Sequence, residues 1–188
     1  MWSTGKREFR SAFTLVELIV VVVLVTVLAG MVGLRLWGAG RGASLRAAAR
    51  RVHIAAQYAR DFAATRRCNC RLTLDPKTGG FQLVYQADPE HRPDEFQPVR
   101  GGPGRTETLE EPLRFSRIRV EPTEPRANDD AKENQITFYP SGRSDAAIVQ
   151  ITDGRRTYSV VVFPSRGRCR MIEGAVEQLP DDQLDLDA

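Results

Sequence analysis

Residues 13–34 read FTLVELIVVVVLVTVLAGMVGL, and within those 22 residues only Thr14, Glu17 and Thr26 are polar. As an α-helix this stretch would be about 33 Å long, close to the ~30 Å hydrocarbon thickness of a bilayer. Valine and isoleucine are mediocre helix formers in water, but in lipid the backbone has no partner other than itself, so the helix is enforced. Arg35 closes the span, and Lys6, Arg7 and Arg10 precede it. A cleaved secretory signal is the competing reading, because Val27-Leu28-Ala29 looks like a small-residue cut site. The apolar run continues past Ala29 to Leu34 and contains a carboxylate, which favours a retained helix.

That carboxylate, Glu17, is the informative residue. A charge at the bilayer centre costs about 2.5–3.5 kcal/mol on insertion scales. Near one end the cost is smaller, yet valine or leucine would avoid it altogether. No Lys, Arg or His lies within 13–34, so a cationic partner must come from a chain terminus or another molecule. The string Ser11-Ala12-Phe13-Thr14-Leu15-Val16-Glu17-Leu18-Ile19 closely resembles the type IV prepilin processing motif, in which a short basic leader and a small residue precede Phe-Thr-Leu-x-Glu. The resemblance implies a cut between Ala12 and Phe13 by the prepilin peptidase, which would then N-methylate Phe13. The family's usual residue before the cut is glycine; Ala12 is a small substitute. The new amine at Phe13 and the carboxylate of Glu17 would stand at i and i+4 on one helix face. In an assembly, Glu17 of one subunit could then face the Phe13 amine of its neighbour and set the axial register.

Charge is unevenly placed. The net charge is +3, but residues 35–71 hold nine arginines and one acid, Asp61, while residues 171–188 hold six acids and no base. Counting bases near the span, the leader has three and the far side has Arg35, Arg41, Arg46, Arg50 and Arg51. Alone, that balance would place the far side in the cytoplasm. The resemblance to the processing motif implies the opposite, because the leader would be cut on the cytoplasmic side, and the motif is the more specific signal.

Beyond the span, Gly30, Gly33, Gly38, Gly40 and Gly42 predict a weakened or kinked helix, each glycine costing about 1 kcal/mol against alanine. From Ser44, read as an N-cap, to Thr65 the helical pattern returns. Leu45, Ala48, Ala49, Val52, Ala55, Ala56, Ala59, Phe62 and Ala63 recur at three- and four-residue steps. The stripe should pack beneath a sheet, with His53 on the helix surface.

Strand periodicity follows. Residues 70–75 and 81–86 alternate around the turn Pro76-Lys77-Thr78-Gly79-Gly80 and predict a hairpin. Residues 88–105 and 121–134 read as long polar loops, with a strand at 113–120 between them. Strands are expected at 135–139, 147–152, 158–163 and 168–172, separated by turns at Pro140-Ser141-Gly142, Asp153-Gly154 and 164–167. The fold class is therefore α+β: a long N-terminal transmembrane helix packed on a two-sheet antiparallel head. Its parts are a leader (1–12), the span (13–34), a stem with a glycine hinge (35–67), the head (68–174) and a solvated acidic tail (175–188). Cys68 and Cys70 share one face of a strand by period two, and either could bridge to Cys169; unpaired buried thiols are the default.

The string Ile136-Thr137-Phe138-Tyr139-Pro140-Ser141-Gly142-Arg143, with Val160-Val161-Val162-Phe163 and Gly167-Arg168 after it, resembles the head of the H-type minor pseudopilins of type II secretion and of FimT-like minor pilins. With the processing motif, the likeness spans nearly the whole chain except the acidic end. It implies a structural subunit of a type II secretion pseudopilus, in a tip or priming complex. The implied partners are the prepilin peptidase and methyltransferase, other minor and major pseudopilins, and the inner membrane, with the head periplasmic. The alternative is a FimT-like minor type IV pilin that binds DNA. Head arginines such as Arg114, Arg117 and Arg119 could meet phosphates, but they form no contiguous run and the chain end is acidic, so nucleic acid is not an expected partner. No enzyme is expected: His53 and His91 are the only histidines, and Gly-x-Ser-x-Gly, zinc and nucleotide spacings are all missing. No cofactor is implied.

Overall fold

The computed structural model describes residues 15–124 and 134–179, with backbone alone over 29–41. One helix, α1 (Leu15–Arg66), precedes nine strands: β1 (Cys70–Asp75), β2 (Gly80–Gln86), β3 (Phe96–Pro98), β4 (Glu107–Thr108), β5 (Arg114–Glu121), β6 (Gln135–Phe138), β7 (Ala146–Thr152), β8 (Thr157–Val162) and β9 (Cys169–Glu173). The chain divides into two compact units, Met1–Gly40 and Arg41–Ala188.

In the first unit, α1 is apolar all round. Its leucines, isoleucine and valines from Leu15 to Leu28 are 51–76 % exposed. Thr26 turns its hydroxyl back to the carbonyls of Val22 and Val23, at 3.0 and 2.9 Å, so its polarity is absorbed within the helix. Among the described residues no helix is long and apolar enough to cross a membrane. The side chains of the expected span are described only over 15–28, and its first two residues lie outside the described chain.

In the second unit, α1 carries the expected stripe. Leu45, Ala48, Ala49, Val52, Ala55, Ala56, Ala59 and Ala63 are all buried. The helix runs unbroken through the glycines, so Ser44 lies inside it and is not an N-cap. Gly42 has a packing role as well. A Cβ there would sit 2.9 Å from Nη1 of Arg156, which reaches α1 from the β7–β8 turn.

Two antiparallel sheets close on that stripe. Sheet A runs β3-β2-β1-β6, with β4 also paired to β2, and sheet B runs β5-β7-β8-β9. Leu72, Leu83, Ile136 and Phe138 of sheet A and Val149, Ile151, Val160 and Val162 of sheet B join the α1 stripe in one core. The β1–β2 hairpin turns as expected. The Asp75 carboxylate accepts from the amide of Lys77 at 2.9 Å and the hydroxyl of Thr78 at 2.7 Å, and Gly79 takes a positive φ. Those hydrogen bonds hold the Asp75 pKa below the usual carboxylate range. In β5 a bulge between Phe115 and Arg117 lets Phe115, Ile118 and Val120 share the core face despite their uneven spacing.

Three further expectations change. Residues 88–105 are not one exposed loop: β3 pairs with β2, the amide of Val99 donates to Leu83 O at 2.9 Å, and Val99 and Gly104 are buried. The density of Pro and Gly hid a three-residue strand. Cys68 lies in the turn between α1 and β1 rather than in the strand. The acidic end is not solvated from its start. After Gly174, residues 174–179 cross the outer face of sheet B as a strap. Ser159 Oγ donates to Gly174 O (2.7 Å) and accepts from Val176 N (3.1 Å) on β8. Gln150 Nε2 donates to Val176 O (2.8 Å) on β7, and Arg119 of β5 reaches Glu177 O. Val176 and Leu179 cover Ile148, Val161 and Phe163.

Asp145 ties the sheets together. It is fully buried, and its carboxylate accepts from the amide of Thr137 in β6 at 2.7 Å, the hydroxyl of Tyr139 at 3.2 Å and the amide of Thr123, beyond β5, at 3.0 Å. Replacing it strands the buried donors of Thr137 and Tyr139 and releases the half-buried amide of Thr123. Asp145→Ala should destabilise the protein by about 3 kcal/mol or more, read as a lowered urea midpoint with an unchanged m-value.

Candidate assembly surfaces

Glu17 occupies the first turn of α1, where a carboxylate is favoured by the helix dipole. It is exposed, with the exposed apolar side chains of the helix around it. Ala12 and Phe13, the expected cleavage and methylation positions, lie outside the described residues.

The three cysteines are free and buried. Cys70 opens β1 in sheet A, whereas Cys169 opens β9 in sheet B, so the first and last strands do not pair. Burial pushes the Cys169 thiol up to about 12 and that of Cys70, aided by neighbouring Cys68, also to about 12. Burial raises Cys68 as well, against the pull of Arg66. Thiolate, the nucleophile, is therefore scarce at neutral pH. His53 is half-buried on α1; burial, then the charge of Arg50, lowers its pKa and favours the neutral imidazole.

A groove of ≈ 670 Å³ opens between the last turns of α1 and β3. Tyr58, Phe62 and Arg66 form its helical wall, Tyr85 of β2 its floor, and Gln97 to Arg100 its far wall. The rings make a short ladder: Tyr58 and Phe62 are 5.9 Å apart, and Tyr85 meets Phe62 edge-on at 5.2 Å. The Arg66 guanidinium lies 5.7 Å over the Phe62 ring. Nearby, Arg71 stacks 3.7 Å over Phe96 and holds β3 down. Sequence reading placed Phe62 in the stripe but missed the groove. Tyr58 and Phe62 at i, i+4 were a visible signal; the wall from β3 was not, because that stretch read as a loop.

With the stem, both sheets and their order established, comparison with known proteins decides the lineage. A family model described as type II transport protein GspH matches residues 48–166. The chain belongs to the GspH family. The match begins inside α1, takes in the groove, the hairpin and Asp145, and ends before β9 and the strap. Two solved structures of the minor pseudopilin EpsH from the type II secretion system of Vibrio cholerae share this fold. One aligns at TM-score 0.52 and 14 % identity over 72 % of this chain and 97 % of EpsH. The other gives 0.51 and 15 % over 69 % and 97 %. The type IV minor pilin FimU of Pseudomonas aeruginosa aligns at TM-score 0.44 and 14 % identity over 72 % of this chain and 97 % of FimU, too weakly to carry weight. No curated protein matches the sequence.

Native protein should resist alkylation at pH 8 at all three cysteines and gain three adducts after unfolding, read by mass. The raised thiol pKa values also set a sign. Folded Cys70 and Cys169 hold their protons above the reference 9.0, so their contribution to stability is complete below pH 9 and is lost as pH climbs toward about 12.

Proposed function

We propose that this chain is a minor pseudopilin of a type II secretion system, a structural subunit rather than an enzyme, which assembles with other pseudopilins in the pseudopilus. The observation that carries the reading is the GspH match over 48–166, on a unit whose helix stripe packs on two antiparallel sheets. In this reading residues 13–34 anchor the subunit in the inner membrane, residues 1–12 are a cytoplasmic leader, and the head is periplasmic. The prepilin peptidase cuts between Ala12 and Phe13 and methylates Phe13.

The apolar end of α1 supports this role. An all-round apolar helix needs lipid or other helices around it. Glu17 is then the one carboxylate carried into that setting, and the Phe13 amine of a neighbouring subunit is its counter-charge. Two groups that are each expensive in lipid become a pair, which sets the depth at which a subunit joins.

The mature protein recovered from the native host should begin with N-methylated Phe13 by mass spectrometry. Glu17→Gln should be processed and inserted normally yet fail to enter pseudopili, with secretion of the system's exoproteins falling about tenfold or more if the lost pair is worth at least about 1.4 kcal/mol. Normal incorporation of Glu17→Gln would remove the pairing role. A mature N-terminus elsewhere in the chain would remove the pseudopilin reading itself.

A further inference from the structure

The groove beside β3 is aromatic and basic: Tyr58, Phe62 and Tyr85 line it, Arg66 and Arg100 flank it, and its lining includes no acid. The chemistry it would recognise is an acidic segment with a few aliphatic side chains, lying extended along the rings. This chain carries such a segment. Beyond the strap, residues 180–188 read PDDQLDLDA, with Asp181, Asp182, Asp185 and Asp187, two leucines and no base.

Where that segment starts matters. The strap holds Leu179 against sheet B after crossing from β9 to β5, and β5 is an edge strand of that sheet. The groove belongs to α1 and to β3, an edge strand of sheet A. The segment is thus tethered to one sheet while its complement lies beside the other, which is the arrangement of a heterologous, head-to-tail contact between copies. Opposite charge on the two surfaces would steer the encounter and fix its orientation.

We propose that the groove receives residues 180–188 of a second copy of this chain. The leucines Leu184 and Leu186 pack on the aromatic ladder, and the aspartates pair with Arg66 and Arg100. The contact would hold whichever filament machine the subunit serves, so its failure and that of the secretion reading are separate.

The test uses the full chain in detergent micelles, the same chain ended at Leu179, and a fluorescein-labelled peptide of residues 179–188 followed by anisotropy. The shortened chain should bind the peptide saturably. The full chain should self-associate as its concentration rises and lose that behaviour on shortening. Arg66→Glu with Arg100→Glu should weaken peptide binding about tenfold, the order expected when two exposed pairs turn from attraction to repulsion. Circular dichroism should be unchanged, and a peptide with lysine at positions 181, 182, 185 and 187 should restore binding to that double variant. Equal binding of a peptide with asparagine at those positions, or undiminished binding by the double variant, would overturn the proposal. So would failure of the shortened chain to bind. A full chain that stays monomeric and excludes a peptide the shortened chain binds would place the segment in its own groove and overturn the assignment to a second copy.

Discussion

The head depends on how closely a helix can approach two sheets at once. Ala48, Ala49, Ala55, Ala56, Ala59 and Ala63 line the buried side of α1, and each is at most 1 % exposed. Methyl side chains let backbone come near backbone, and they lose no rotamer entropy on burial. The volume they leave is filled from the sheets by Leu72, Leu83, Phe138, Ile151 and Val160, so that one core is shared by three layers. A larger residue at any of these alanines would have to displace a strand, and overpacking a filled core typically costs about 1–3 kcal/mol. The same stripe fixes the rotation of α1. With the alanines facing inward, Tyr58 and Phe62 come to the margin, where Tyr85 meets them and the groove opens.

Apolar packing alone would let the sheets slide; the buried polar groups decide the register. Asp145 gathers donors from β6 and from the chain after β5, while its own amide donates to Thr137 O at 2.9 Å. Beside it, Ser144 donates from its hydroxyl to Phe163 O at 3.1 Å, tying the entry of β7 to the exit of β8. On the far face of sheet B, Ser159 and Gln150 would face water without the strap; instead backbone groups of residues 174–176 satisfy them. A buried polar network is worth having only when every member is satisfied, and then it excludes alternative alignments. Gly167 shows the same tightness at the helix. Its φ of 56° suits glycine, and a Cβ would sit 3.1 Å from Cγ of Arg60.

Most of the architecture was legible because it rests on periodicity. The alanine stripe follows a helical repeat, β1 matches its alternation residue for residue, and the other long strands shift by a residue or so. What stayed hidden was written in few residues or in contacts far apart in sequence. Pro98 in a three-residue edge strand looks like a loop breaker until Val84 is placed opposite it. Val176 and Leu179 look like stray apolar residues in an acidic tail until Ile148, Val161 and Phe163 are seen to need cover. Ser44 looks like a cap because N-cap chemistry does not report whether a helix has already begun. The groove was illegible for the same reason as β3, since one wall is helical and local while the other depends on a long-range pairing. Whether Cys169 could meet Cys68 or Cys70 hung on the neighbours of the first and last strands, which periodicity does not give; β1 and β9 lie in different sheets.

The apolar end of α1 poses a different problem from the stem. An alanine stripe distinguishes one side of a helix, so the stem can dock in one rotation only. The stretch from Leu15 to Leu28 has no such side; valine and leucine face every direction, and Thr26 has spent its hydroxyl on its own helix. Dispersion forces against lipid or against other helices are then nearly the same at every rotation and depth. A helix of that kind holds its place strongly but chooses it weakly. Specificity must come from the heads, through surfaces such as the aromatic groove, or from a polar group that finds its partner at one depth alone. Under the processing proposed above, Glu17 would meet the second requirement, its counter-charge being the Phe13 amine of a neighbouring subunit. In that proposal uncut chains would lack the amine and would not associate in register, so maturation would precede assembly.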